Sequence, residues 1–220
     1  MVKILWFVVC LTLTSFAQGF TVGALGGVRA TELYSGNLSD ESKRYVAGLS
    51  LELHLPLRLS VEADALYQHL GYSYTLIVPI LPFGLSQVRE RNNSWEFPLL
   101  LKYHPPAGPI HPFAGIGIAP RIVTLRDDDS GYTIDPRLQT VQLYSSVYRS
   151  SYDPTVGLVL AGGVEFRVSR LGIAPQVRYT WWNQRFLDET VRNYGFLGLE
   201  FYRANQQQLE VMVGIGWRIR

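Results

Sequence analysis

The chain is almost without cysteine, is poor in lysine, and has no long apolar run beyond its first twenty residues. Its only thiol is Cys10, inside the apolar start of the sequence. Disulfides and Cys/His metal clusters are therefore excluded from the remainder. Lysine occurs only at Lys3, Lys43 and Lys102, and every other positive charge is an arginine. Arginine suits packed, bidentate ion pairs better than lysine does, which points to enclosed rather than solvated charges. The net charge of +2 beside 47% hydrophobic residues carries no polybasic signature, so no nucleic-acid partner is expected. No later segment approaches 18 consecutive apolar residues, which rules out a transmembrane helix there.

The start, MVKILWFVVCLTLTSFAQG, places Lys3 before an apolar core from Ile4 to Leu13, with Ser15 and Ala17 behind it. This is the layout of a secretory signal peptide, here residues 1–19, followed by a single domain over 20–220. A membrane anchor would need roughly 20 apolar residues. A lipoprotein site at Cys10 has too little apolar sequence ahead of it, and Val9 is not the small residue such a site prefers.

What is present is alternation. Leu209, Val211, Val213, Ile215, Trp217 and Ile219 share one face of the last segment, and Glu210, Met212, Gly214, Gly216 and Arg218 share the other. A period of two over about a dozen residues exceeds a typical globular strand and suits a tilted strand crossing a bilayer. Similar segments run over Phe20 to Thr31, Arg44 to Leu55, Leu57 to Leu70, Ser94 to His104, His111 to Leu125, Thr155 to Val168 and Leu171 to Asn183. Eight segments are expected in all, joined alternately by short and long connections. Short turns at one end and long loops at the other are the layout of an outer-membrane barrel, with both chain ends on the periplasmic, short-turn side.

A two-residue turn at Ser169 and Arg170 would pair Arg167 with Gly172, Glu165 with Ala174, Gly163 with Gln176 and Ala161 with Arg178. Each pair sets a large residue against a small one, and a slip of one position would mix the faces. A soluble barrel or sandwich would also alternate, with its apolar face inside. The polar face argues otherwise, because glycine and alanine are interleaved there with Glu, Asp and Arg, while Lys and Thr are scarce. Inside a narrow barrel, small residues leave room for charged side chains that pair across the lumen. Aromatic residues gather at both ends of the segments, with Phe20, Tyr103, Phe166 and Trp217 toward the short turns and Tyr45, Tyr67, Trp95, Tyr179 and Trp181 toward the long loops. Two such belts mark membrane interfaces. Pro98, Pro120 and Pro175 fall within strands of a sheet without edges, so bulges or weak pairing are expected there.

SWEFPLLLKYHP from Ser94 to Pro105, RLSVEADALYQHLGY from Arg58 to Tyr72 and HPFAGIGIAPR from His111 to Arg121 resemble strands of the small outer-membrane barrels, the PorT-like and OmpA-like barrel domains. The final segment, with Gly214, Trp217 and Ile219, is similar to the C-terminal signal read by the outer-membrane assembly machinery, although the chain ends in Arg220 rather than an aromatic residue. The resemblance implies a fold and a membrane, and little chemistry.

The expected fold is thus all-β, an eight-stranded antiparallel transmembrane barrel in up-and-down order. An interior of this size is filled by side chains. Arg29, Glu52, Arg58, Glu62, Asp64, Glu96, Lys102, Arg121, Glu165, Arg167, Arg178, Glu210 and Arg218 are expected to form an ion-pair network that plugs the lumen, with Glu96 opposite Arg121. The same charges around an open constriction would make a narrow porin. A lipid-modifying or proteolytic barrel would need a His with Ser or paired acids near the outer rim, and only His69 lies there, with no such partner at a recognised spacing. Arg126 to Gly131 reads as a solvated acidic turn, since the spacing is not that of a calcium loop. The apolar stretch YTLIVPILPFGL, Tyr74 to Leu85, falls outside the membrane, where it could extend a hairpin, lie on the outer leaflet or meet a partner. Neither cofactor nor metal is expected. The partners expected are outer-membrane lipids, the assembly machinery and a surface partner of unknown kind.

Overall fold

The computed structural model describes residues 19–35, 39–78, 83–106, 110–135, 140–185, 188–193 and 198–219, so the expected signal peptide and Arg220 lie outside the described residues. Eight strands close into a ring: β1 (Phe20–Arg29), β2 (Tyr45–His54), β3 (Leu59–Val78), β4 in two pieces (Phe83–Glu96 and Leu99–Tyr103), β5 (Ile110–Asp135), β6 (Thr155–Val168), β7 (Leu171–Trp182) and β8 (Gln207–Ile219). Each pairs antiparallel with the next, and β8 returns to β1 with Phe20 opposite Ile219 and Arg29 opposite Glu210. The expected up-and-down order and strand number are those observed.

The ring turns its oily face outward. Leu49, Leu51, Leu99, Leu101, Ile116, Ile118, Leu158, Leu160, Val211, Val213 and Ile215 are exposed, whereas the alternate residues are buried or partly so. Water would not tolerate such a continuous apolar belt, and lipid satisfies it while the closed ladder satisfies the backbone. On β4 the outward aromatics Trp95 and Tyr103 stand eight residues apart. At about 3.3 Å per residue and a tilt near 40°, that is roughly 20 Å of height, close to the apolar band of such barrels.

The prolines lie where the ladder lapses. Between Glu96 and Leu99, β4 breaks at Phe97 and Pro98, yet the Phe97 N–H still donates to the Pro120 carbonyl and the Asp64 N–H to that of Pro98. Pro175 keeps its register with Val213 on β8, but the β6–β7 ladder is interrupted at Val164 and Glu165, so the expected pairing of Glu165 with Ala174 does not form. The remaining expected pairs across Ser169 and Arg170 are observed.

Above the membrane the strands continue, which the fading alternation concealed. β3, β4 and β5 rise well past Leu70, Ser94 and Leu125, and a further strand, Thr140–Ser151, runs back along β5. Arg126 to Gly131 is therefore strand, not turn. On the upper part of β5 and on the strand beside it most side chains are exposed or partly so on both faces, so no apolar face alternates with a polar one there. Tyr74 and Thr75 continue β3 upward, extending the hairpin, whose tip at residues 79–82 lies outside the described residues. A small separate sheet of Asp188–Asn193, Gly198–Ala204 and Tyr34–Ser35 occupies the loops beside it.

Candidate functional site: the barrel lumen and its outer roof

The lumen is organised in tiers, because inward positions recur every second residue on all eight strands. In the middle tier Arg178 of β7 reaches across to β3, the strand facing it in the ring. Its Nη1 donates to Asp64 Oδ2 at 2.6 Å and its Nη2 to Glu62 Oε1 at 2.8 Å. Glu62 also binds Lys102 of β4, whose ammonium lies 3.8 Å from Glu52 and 4.5 Å from the centre of the Phe113 ring. These charges are paired on several sides at once, which is what enclosure requires.

The tier above joins Glu210, Gln68, Gln208 and Glu96. Gln68 donates to Glu210 Oε1 at 2.6 Å, Gln208 donates to the same oxygen at 2.8 Å, and Trp182 Nε1 donates to Gln208 at 3.1 Å. Arg29 reaches Gln68 at 3.4 Å. Arg121 stacks its guanidinium 3.7 Å over the Trp182 ring and donates to Thr155. Its backbone sits opposite Glu96, the pairing expected from sequence. Gly157 makes the space for the indole, since a Cβ there would stand 2.9 Å from a Trp182 ring carbon.

The lowest tier is different in kind. Ser60 Oγ lies 2.5 Å from Glu52 Oε1 and 2.9 Å from His104 Nε2, while His104 Nε2 lies 3.2 Å from the same Glu52 oxygen. Serine, histidine and acid are together, yet the relay geometry is missing. One imidazole nitrogen faces both partners, Nδ1 has no hydrogen-bond partner among the described residues, and Ser60 is fully buried. Glu165 and Arg167 form a bidentate pair with each other at 2.7 and 2.6 Å. With Arg218 they border the short-turn mouth, a cavity of about 430 Å³. The space higher up, between Glu62, Lys102, Phe113 and Gln176, shrinks to about 40 Å³, little more than one water's share of liquid volume.

Of the thirteen charges expected inside, Arg58 is the one that is not. It lies exposed in the turn Pro56–Arg58 at φ 63°, because β3 begins at Leu59 rather than Leu57. Gly214 is buried opposite Leu25, while Trp217 and Ile219 face outward at the strand end. His69 bonds Asn93 Oδ1 at 3.1 Å, and no serine or carboxylate is among its hydrogen-bond partners in the described residues. Among those residues no group of three or more His, Cys, Asp or Glu could hold a metal ion.

Sequence reasoning missed the roof. Leu33, Tyr34, Leu70, Tyr72, Val123 and Ala204 form a buried cluster above the upper tier, with Tyr74 and Tyr152 packed on it. Tyr34 and Tyr72 meet edge-on at 4.9 Å, and Tyr152 donates to Glu90 at 3.2 Å. Burial pushes the Glu90 carboxyl above its ordinary range, and nearby Asp127 adds to the shift. The signal available was the run of tyrosines at alternate positions, Tyr72 and Tyr74, beyond the expected end of the strand.

No family model matches the chain, and no curated protein does. Among solved structures it is similar to OprG from Pseudomonas aeruginosa, at 14% identity and a TM-score of 0.49 over 93% of this chain and 97% of that one. It is similar also to Neisserial surface protein A, at 12% identity and 0.40 over 90% and 97% of the two chains. For Ail of Yersinia pestis the figures are 8% and 0.43 over 91% and 97%.

Proposed function

We propose that this chain is an outer-membrane protein that acts at the cell surface through its outer sheet, with a lumen sealed by the charged network. Export by the N-terminal signal, recognition of the last strand at Gly214, Trp217 and Ile219 by the assembly machinery, and a partner met outside the cell are part of the same reading. The observation that carries the surface role is the strand Thr140–Ser151. Among the described residues it pairs with β5 on one side only, and its side chains are exposed nearly throughout, including Val141, Leu143, Val147 and Tyr148. A long edge with one charge, Arg149, has none of the devices that usually blunt strand addition. An extended segment of a partner can add there.

The test is adhesion of cells that display the chain against cells displaying L143K/V147K, with equal surface levels verified by labelling. Wild-type cells should adhere to one another or to a surface, and the variant should lose most of it; equal adhesion sinks the reading. A narrow porin is the second reading, favoured by the wide short-turn mouth. Planar bilayers separate the two, since a sealed lumen passes no steady current and a porin does.

A further inference from the structure

On the outward face, just above the upper aromatic belt, three arginines stand side by side on neighbouring strands. Arg91 of β4 pairs with Arg126 of β5, which pairs with Arg149 of the edge strand, and all three are exposed. Beside β3 the row ends at Glu41, whose N–H donates to the carbonyl of Gly71, the residue opposite Arg91, while exposed Lys43 lies one pair lower beside His69. Like charges directly across a sheet repel, so the three arginines do not favour one another at these positions. Arg126 meets Asp128 at 3.3 Å on a half-exposed side chain, and Arg91 lies near Glu41, a carboxylate that is itself paired with Arg89.

What lies beneath the row gives it direction. One pair lower come His69, Asn93, Thr124 and Ser151, all hydrogen-bonding groups, and one pair lower again come Tyr67, Trp95 and Ile122. Tyr67 and Trp95 pack at 5.2 Å, and the Tyr67 hydroxyl donates to Asn93 at 2.7 Å. The face thus runs upward from apolar to neutral polar to cationic. Arg91 stands four residues above Trp95, about 13 Å along the strand and roughly 10 Å in height for a tilted barrel strand. That is the depth of a lipid headgroup layer outside the hydrocarbon edge.

We infer that this sector is a binding site for a phosphorylated headgroup of an outer-leaflet lipid. The arginine forks would grip phosphate oxygens. His69, Asn93 and Thr124 would meet the polar linkage below, and Tyr67 and Trp95 the first part of the acyl chains. The bound anion converts the repulsion along the row into attraction. This inference rests on the outer-membrane placement proposed above.

Native mass spectrometry of the refolded chain in neutral detergent tests it, with a bisphosphorylated glycolipid, its enzymatically dephosphorylated form, and inorganic pyrophosphate as competitor. R91Q/R126Q/R149Q should bind the bisphosphorylated lipid at least tenfold more weakly than wild type. R58Q/R170Q, with charges removed at the opposite end, should bind as wild type does, and R91K/R126K/R149K, which keeps the charge but not the fork, should bind more weakly than wild type and more tightly than the glutamine variant. The dephosphorylated lipid should not distinguish any of these. Heat-dependent gel mobility confirms that each variant is folded. Equal lipid binding by wild type and the glutamine variant overturns the site, and so does complete displacement by millimolar pyrophosphate, which would assign the row to free phosphate. A chain that folds but fails to enter vesicles of the same lipids would overturn the membrane placement itself, so the two failures are told apart.

Discussion

Strand β5 passes through two different environments and shows what each demands. Its lower half, HPFAGIGIAPRIV, sets Ile116, Ile118 and Ile122 against lipid and Gly115, Gly117 and Arg121 against the lumen. Its upper half, RDDDSGYTID, meets water on both faces and keeps no such separation. The ladder continues through both halves, with Glu96 opposite Arg121 below and Gln87 opposite Ser130 above, and lapses in the lower half beside Phe97 and Pro98. The barrel is therefore held by what its faces touch, and the outer sheet mainly by its ladder and by the aromatic roof at its base. Damage below should cost stability, while damage above should cost contacts or local order.

The largest effect should come from Arg178→Ala. It strands Asp64 in the lumen and leaves Glu62 with Lys102 alone, and breaking a buried pair by removing one partner costs ~3–5 kcal/mol. Urea unfolding of the refolded chain, followed by tryptophan fluorescence, measures this, and the same preparation in planar bilayers should show leak currents that wild type lacks. R178M with E62Q and D64N should recover most of the stability, since the uncompensated charge is then gone. If the single variant unfolds like wild type, the cross-lumen pair is not what holds the two halves of the ring together.

A smaller effect is expected from Gly157→Val. A side chain there would press on Thr180 Cγ2 at 2.7 Å and on the Trp182 ring, and overpacking of this kind costs about 1–3 kcal/mol. Adding Trp182→Leu in the same chain should relieve part of the cost, to be read from the same unfolding curves. A full additive loss would show that the glycine is not there to seat the indole.

The two halves also differ in how far they could be read from sequence. In the membrane, burial is binary and its period is two, so the eight strands, the Gly163 to Gln176 and Ala161 to Arg178 pairings and twelve of the thirteen inward charges could be placed from the pattern. Arg58 escaped because Leu57 continues the apolar period through a turn that Pro56 opens. Above the membrane, alternation carries no information when both faces are wet. The end of the pattern at Leu125 was the end of the lipid, not of the strand. The roof was hidden for another reason, since Tyr34, Tyr72, Tyr152 and Ala204 come together from four separate segments and no local period links them.

The smallest effect, and the one that tests the outer half, is expected from Glu90→Gln. Burial raises the folded-state pKa of Glu90 above its ordinary value of 4.5. A carboxyl whose folded pKa lies above its unfolded one favours the folded state where it is protonated in both, and that advantage is lost as pH rises through the folded value. The roof should therefore loosen as pH climbs from about 4.5 through the raised value and change little beyond it. Glutamine keeps the shape and an acceptor for the Tyr152 hydroxyl but cannot ionise. Amide exchange at Tyr72, Val123 and Tyr152, measured at pH 4 and pH 7.5 and corrected for intrinsic rates, should show less protection at the higher pH in wild type and equal protection in E90Q. Amides of the barrel tiers should be unaffected in both, because the ladder below the roof is sealed from it by Trp182 and Arg121. A pH response that persists in E90Q would place the titrating group elsewhere in the outer sheet.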